Sequence, residues 1–290
     1  MLIPNSPTVA RWELAIRLRQ QLELLGIKVP ALCKVVGFTP AYWSHVMTGR
    51  SVFTEEKLEQ LLDHLEFSDA DRSELRDLRA AAKEPGRWAP YSALFGDELM
   101  RLYGLEHGAH SLRVHEAVLV PAMLQAPDYM RALMRSPYGV RSTVEADQYI
   151  EARLMRQERL TGPQPLHLTA MLTEAVLLQS PWGPQVQLAQ LRHIQSLIEQ
   201  FSETIDVRVI PLSEPECIAL SGNVYLIDFE SSRLPTVAWY ENALFGQVVE
   251  DPVQVRNLSF VYNNVLAAVP SREESLAFID RTVRELASKT

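Results

Sequence analysis

The sequence predicts two unlike domains in one chain: a mainly α N-terminal domain of five short helices, and a C-terminal α+β domain with a small sheet. Three observations carry this. Leucines recur at helical spacing through about the first eighty residues. The segment 83-KEPGRWAPYS-92 then breaks that regime with two prolines and a glycine. Past residue 160, short runs of apolar residues alternate with period two. At 290 residues the chain is long for a single core, so the expected division is 1–82, a linker at 83–96, and 97–290. Trp88 and Tyr91 predict that the linker packs.

Taken in order, Leu14, Leu18, Leu22 and Leu25 mark one face of a first helix that stops at Gly26. A short apolar second helix through Ala31–Val36 ends at Gly37. The third runs roughly from Thr39 to Thr48, with Thr39 as a hydroxyl cap and Pro40 fixing the first φ. Leu58, Leu61, Leu62 and Leu65 draw a fourth stripe, and Ser68 with Asp69 and Asp71 opens a fifth helix containing Leu75 and Leu78. Residues 97–135 read mostly helical, interrupted at Gly104, Gly108, Pro121 and Pro127, and 145–160 reads as a charged helix. Strands are expected at Leu166/Leu168/Ala170/Leu172, Ile205/Val207/Val209, Tyr225/Ile227/Phe229 and Val237/Trp239. Helices near 185–201 and 251–268 accompany them, and Ser271 with Glu274 forms a capping box for a last helix.

The net charge of −8 conceals an asymmetry. Residues 1–50 carry six Lys/Arg against two acids, residues 51–90 six against ten, and the remainder sixteen against twenty-four. Only the first fifty residues are electrostatically suited to approach a polyanion. Two cysteines, Cys33 and Cys217, make no disulfide framework, so a reducing cytoplasm is the expected setting. No run approaches the apolar length needed to span a bilayer, and the start has no secretion signal.

The stretch 36-VGFTPAYWSHVMTGR-50 raises the sharpest question, because a short helix bracketed by glycines displays Tyr42, Trp43, Ser44 and His45 in succession. Two short helices over a tight turn are what a groove-reading helix-turn-helix needs. With Gly37, Phe38, Thr39, Trp43, Ser44 and Gly49 in register, the segment resembles the Cro/phage-repressor (XRE) five-helix class of DNA-binding domains. The resemblance implies that Trp43 and Val46 face the core. Pro40, Ala41, Tyr42 and His45 would then line the groove side, and Thr39 and Ser44 would reach phosphates of double-stranded DNA. Lys28, Lys34 and Arg50 would anchor the backbone. Pro40 and Ala41 stand where relatives often carry Gln or Arg, so direct base readout is expected to be modest. Leu22 and Met47 replace an Arg–Glu pair common in that class. An apolar pair serves as well there, since a partly buried ion pair nets little. The other reading of the segment is a helical interaction module whose aromatic residues are core.

Further along, 115-HEAVLVPAMLQAPDYMRAL-133 resembles the "VPGLLQT..YARA" signature of an uncharacterised domain that follows helix-turn-helix domains in actinobacterial, antitoxin-like regulators. Ala122-Met123 replaces the usual Gly-Leu. The resemblance implies a transcription regulator whose C-terminal domain senses a small-molecule effector or a small protein encoded nearby, and operator reading by paired half-sites predicts a homodimer. The alternative is an interaction protein whose main task is holding that partner. Glu116, Gln125, Tyr129, Arg153, Arg156, Gln157, Glu174, Trp239 and Glu241 are the candidate ligand- or partner-binding residues. Glu116, Arg153, Arg156, Gln157 and Glu174 read first as an internal ion-pair network joining helices to the sheet, and otherwise as a polar pocket floor that Tyr129, Trp239 and Glu241 would line further.

The sequence carries no recognisable catalytic or cofactor signature. Glycine-rich phosphate loops, HExxH and paired CxxC are missing from the sequence, and Ser221-Gly222 lacks the flanking glycine of a nucleophile elbow. His107, His110 and His115-Glu116 have a spacing that suits no single helix face. The acids Glu214 and Glu216 beside Cys217 would raise its thiol pKa. Neither an enzyme, a cofactor nor a metal is expected.

Overall fold

A computed structural model of the chain describes residues 6–136, 142–220, 222–241 and 246–289. It divides into two compact units. The first comprises Met1–Ser92 with Met100–Gly108 and Phe229–Pro235; the second comprises Ala93–Leu99, Ala109–Asp228 and Thr236–Thr290.

The first unit is built on five helices: α1 (Pro7–Leu24), α2 (Val29–Val36), α3 (Pro40–Met47), α4 (Glu55–His64) and α5 (Asp69–Lys83). Several boundaries have a local cause. Gly26, Gly37 and Gly49 adopt φ of +65°, +69° and +75°, a left-handed conformation that side chains resist and that lets the chain turn between helices. Thr39, Thr54 and Ser68 accept backbone N–H groups at the starts of α3, α4 and α5. The leucine stripes converge on one core with Trp43, Val46, Phe53 and Leu58. Leu22 and Met47 are both in it, the apolar pair expected from their matched substitution.

Segments from later in the chain complete this unit. The part of α6 (Asp97–His107) from Met100 onward lies over α1: the Ser6 hydroxyl donates to the Gly104 carbonyl at 2.5 Å. Gly104 therefore does not interrupt the helix as its type suggests. It sits within α6 because a Cβ there would collide with the Thr8 side chain. Trp88 is buried and donates its indole N–H to the Tyr103 carbonyl at 3.1 Å. The segment Phe229–Pro235 packs its first ring on Trp12, 5.2 Å between centroids. Its Arg233 meets Glu74 at 2.7 Å, and buried Arg17 shares Glu74 and Asp71 with it.

The second unit holds a six-stranded mixed sheet in the order β3-β2-β1-β4-β5-β6. Its strands are β1 (Ser111–Glu116), β2 (His167–Thr173), β3 (Ile205–Ile210), β4 (Asn223–Asp228), β5 (Val237–Glu241) and β6 (Gly246–Val249). The first three run parallel and the rest antiparallel. The parallel connections are made through α7 (Pro127–Met134), α8 (Thr143–Thr161), α9 (Glu174–Leu178) and α10 (Pro184–Gln200), as a parallel crossover requires. Two helices follow the sheet, α11 (Pro252–Ala268) and α12 (Arg272–Ala287). Val255, Tyr262 and Val265 of α11 pack on Met171, Val224, Leu226 and Ala238 of one sheet face. The Ser271–Glu274 capping box opens α12 as its sequence indicates, and Ser275 of α12 accepts the Val209 N–H at 3.0 Å, covering the edge of β3.

Two strands depart from the sequence expectation. The reading of 97–135 as mostly helical is wrong at β1, which is central to the sheet, and β6 carries no sequence signal. Leu112/Val114 against Arg113/His115 does alternate, but the run is short, and a strand gains its hydrogen bonds only from partners remote in sequence. Phe229 falls outside β4 and joins the first unit.

Candidate nucleic-acid interface and the polar cluster of the sheet

In the first unit α3 has one buried and one open face. Trp43, Val46 and Met47 are buried, while Thr39, Pro40, Ala41, Ser44 and His45 are exposed. Lys28, Lys34 and Arg50 are exposed as well. The Thr39 hydroxyl accepts the Tyr42 N–H at 3.1 Å, which leaves its own proton available to an acceptor outside. Thr48 donates its hydroxyl to the Ser44 carbonyl at 2.8 Å, tightening the last turn. Arg19 donates to the Met47 carbonyl at 2.5 Å, tying α1 to the end of α3.

Tyr42 corrects one expectation. It does not stand wholly on the groove side: its half-buried ring packs on Phe38 at 5.4 Å and Phe53 at 5.8 Å. Four residues separate it from buried Val46, so it flanks the buried stripe rather than opposing it. Lys57 of α4 caps that ring with its ammonium 3.8 Å from the centroid, a cation–π contact. Burial raises the Tyr42 phenol above its ordinary pKa. Nothing in EEKLEQ singles out Lys57 beforehand. Two acids of α4 are drawn into ion pairs with arginines of α5, Arg76–Glu59 and Arg72–Asp63 each at 2.6 Å.

In the second unit, most of the predicted polar residues do meet. Glu116 at the end of β1 is buried and accepts the Tyr225 hydroxyl at 2.8 Å. Tyr225 lies opposite Val114 in the antiparallel pairing, so a residue two positions on is its diagonal neighbour. Trp239 of β5 lies opposite Tyr225 and donates its indole N–H to Glu241 at 2.9 Å. Above them Arg153 of α8 donates to the Gln125 side-chain oxygen. Gln125 in turn donates to the Val120 carbonyl at 2.7 Å. Gln157 donates to the carbonyls of Ala122 and Gln125, each at 2.8 Å, and the Tyr129 hydroxyl accepts the Val120 N–H at 3.3 Å. Arg156 is buried and close enough to draw down the Tyr225 phenol. Glu174 alone stands apart: it accepts the Leu212 N–H at 2.9 Å, because β2 ends there and α9 turns it away.

Burial dominates the electrostatics of this cluster. It lifts the Glu116 carboxyl to about 8, against the Tyr225 hydrogen bond and Arg153, and with the negative charge of Glu241 adding to the rise. Glu116 is therefore protonated at neutral pH. Its Oε1 accepts the hydrogen bond from the Tyr225 hydroxyl, while Oε2 is buried without a hydrogen-bond partner. Burial also raises Tyr225 well above its ordinary value. Tyr225 and Gln190 were not foreseen as parts of the cluster. Gln190 accepts the Ala126 N–H and donates to the Leu124 carbonyl, both at 2.7 Å. The period-two run Tyr225/Ile227 marks only the strand on which the tyrosine lies.

Among the described residues no group of three or more His, Cys, Asp or Glu is placed to hold a metal ion. His115 is buried with its Nδ1 2.8 Å from the Gly222 carbonyl, and burial lowers its pKa. The Cys217 side chain and Ser221 lie outside the described residues. No helix among them is long and apolar enough to cross a membrane.

Comparison with known families gives two matches. A helix-turn-helix domain matches residues 13–75, and a domain of unknown function, DUF5753, matches residues 99–281, more than half of the chain. No curated protein matches the chain, and no solved structure does.

Proposed function

The chain belongs to the DUF5753 family and carries an N-terminal helix-turn-helix domain, which suggests a DNA-binding regulator; on that premise we propose an XRE-type transcription regulator that docks α3 in the major groove of double-stranded DNA. What supports it above all is the division of α3, buried at Trp43 and Val46 and open at Pro40, Ala41, Ser44 and His45. In this reading Lys28, Lys34 and Arg50 bind phosphates, Thr39 and Ser44 add hydroxyl contacts, and Tyr42 supports the helix while its edge borders the groove. Two copies read two half-sites. The protein works in the cytoplasm, catalyses no reaction and needs no cofactor.

The C-terminal domain modulates binding, through an effector or a small partner protein encoded nearby, as in antitoxin-like regulators. Within it the Glu116 cluster serves as a hydrogen-bonded network joining α8 to the sheet, for its amides are engaged by protein carbonyls. Footprinting on the gene's own promoter tests the proposal, with and without the product of the neighbouring gene. Protection in register with two half-sites is expected. Capture of the neighbour's product with no protected DNA would instead establish the interaction-protein alternative.

A further inference from the structure

Helix α11 is unusual on the face turned to water. Of its seventeen residues only Arg256 is charged, whereas at the chain's 22% about four would be. The sixteen-residue α12 beside it in sequence carries seven. A surface helix in water normally presents charge opposite its buried stripe. The buried stripe of α11 is in place: Val255, Tyr262 and Val265 sit on the sheet, and the Tyr262 hydroxyl donates to the Thr169 carbonyl at 2.9 Å. The opposite line holds Val253, Asn257, Phe260, Asn264 and Ala267, all exposed and spaced at i, i+4, i+7, i+11 and i+14. Val253 is 53% exposed and Phe260 66%.

That line reads the same in both directions: apolar, Asn, Phe, Asn, apolar, with Phe260 at the midpoint of Pro252–Ala268. We propose that the outer face of α11 is where two copies of this chain meet across a two-fold axis, Phe260 against Phe260. The inference rests on the pairing of two copies proposed above. A two-fold contact must complement itself, and this line does so whether the helices run parallel or antiparallel. In either arrangement each Asn faces an Asn, whose amide donates and accepts in equal measure. Charge favours the same occupant. Residues 91–290 carry sixteen Lys/Arg against twenty-four acids, so most of that surface would repel its own copy, and α11 offers a strip without acids. A seam one helix wide is at the small end of interfaces, so pairing depends on concentration and is reinforced by adjacent half-sites on DNA.

Sedimentation of the full chain from micromolar to near-millimolar concentration tests this, with Phe260→Glu and, as a control for added charge, Val144→Glu at another exposed apolar site. Wild type and Val144→Glu are expected to dimerise and Phe260→Glu to stay monomeric with unchanged circular dichroism. If Phe260→Glu fails to fold, Asn257→Asp with Asn264→Asp takes its place. Phe260→Cys should also form a cross-linked dimer on mild oxidation that wild type, with its two native cysteines, does not. A dimer that survives these substitutions and gives no cross-link overturns the α11 seam while leaving pairing intact. A wild-type chain that is monomeric at every concentration, and binds DNA as a monomer, overturns both.

Discussion

Helix α3 in the first unit and the Glu116 cluster in the second use similar side chains in opposite surroundings. Tyr42 flanks the core with its ring under Lys57, half open to solvent; Tyr225 is buried and bonded to a carboxyl. Around α3 the charges stay in water, where they can meet a polyanion at little desolvation cost. In the cluster a carboxyl has lost its water and gained one hydroxyl in exchange, so it keeps its proton. The cations around α3 are thus exposed, whereas the Glu116 carboxyl is buried and uncharged. The amides of the cluster are bonded to protein carbonyls of the same unit.

The largest effect that would break this comparison lies on α3 itself. Trp43→Ala should destabilise the first unit by about 3–5 kcal/mol, the range for removing a buried aromatic ring. His45→Ala, two residues on and exposed, should stay within roughly 0.5 kcal/mol of wild type yet weaken DNA binding. Equal losses in chemical denaturation would show that α3 has no open face.

Next in size is the pH dependence set by Glu116. Its folded pKa, about 8, is raised above the ordinary carboxylate value. The stability it contributes is therefore complete below the unfolded pKa of about 4.3 and is lost as pH rises toward 8. Across that window wild type should lose roughly 3–5 kcal/mol through this group, about 1.4 kcal/mol per pH unit at most. Glu116→Gln should flatten the melting temperature against pH in the same window. Parallel curves for the two proteins would mean that Glu116 is ionised in the folded state and the cluster solvated.

Smaller effects sharpen the picture at the first unit. The double variant Lys34→Ala, Arg50→Ala should reduce the slope of log affinity against log salt by about two, close to one per phosphate contact. A slope identical to wild type would remove both residues from the interface. Thr39→Ala should cost about 1 kcal/mol by leaving the Tyr42 N–H without its cap, measured by thermal melting. No change would place the start of α3 elsewhere.

The five N-terminal helices, the helix starts at Thr39 and Ser68 and the turns at Gly26, Gly37 and Gly49 are legible in the residues alone, while the burial of Trp43 and Val46 follows from the family resemblance, which misassigns Tyr42. Those features depend on residues three or four apart, on hydroxyls next to the helix starts, and on glycines where φ must be positive. The sequence also marked Glu116, Gln125, Arg153 and Gln157 as polar residues of interest without saying what holds them. Long-range contacts alone make β1 a central strand rather than helix, take Glu174 out of the cluster and bring Tyr225 into it from 109 residues away. They also join Phe229–Pro235 to the first unit. The physical reason is range. A helix closes its hydrogen bonds within one turn, whereas a strand, and a carboxyl that must shed its charge, are defined by partners that the chain supplies only after it has folded back on itself.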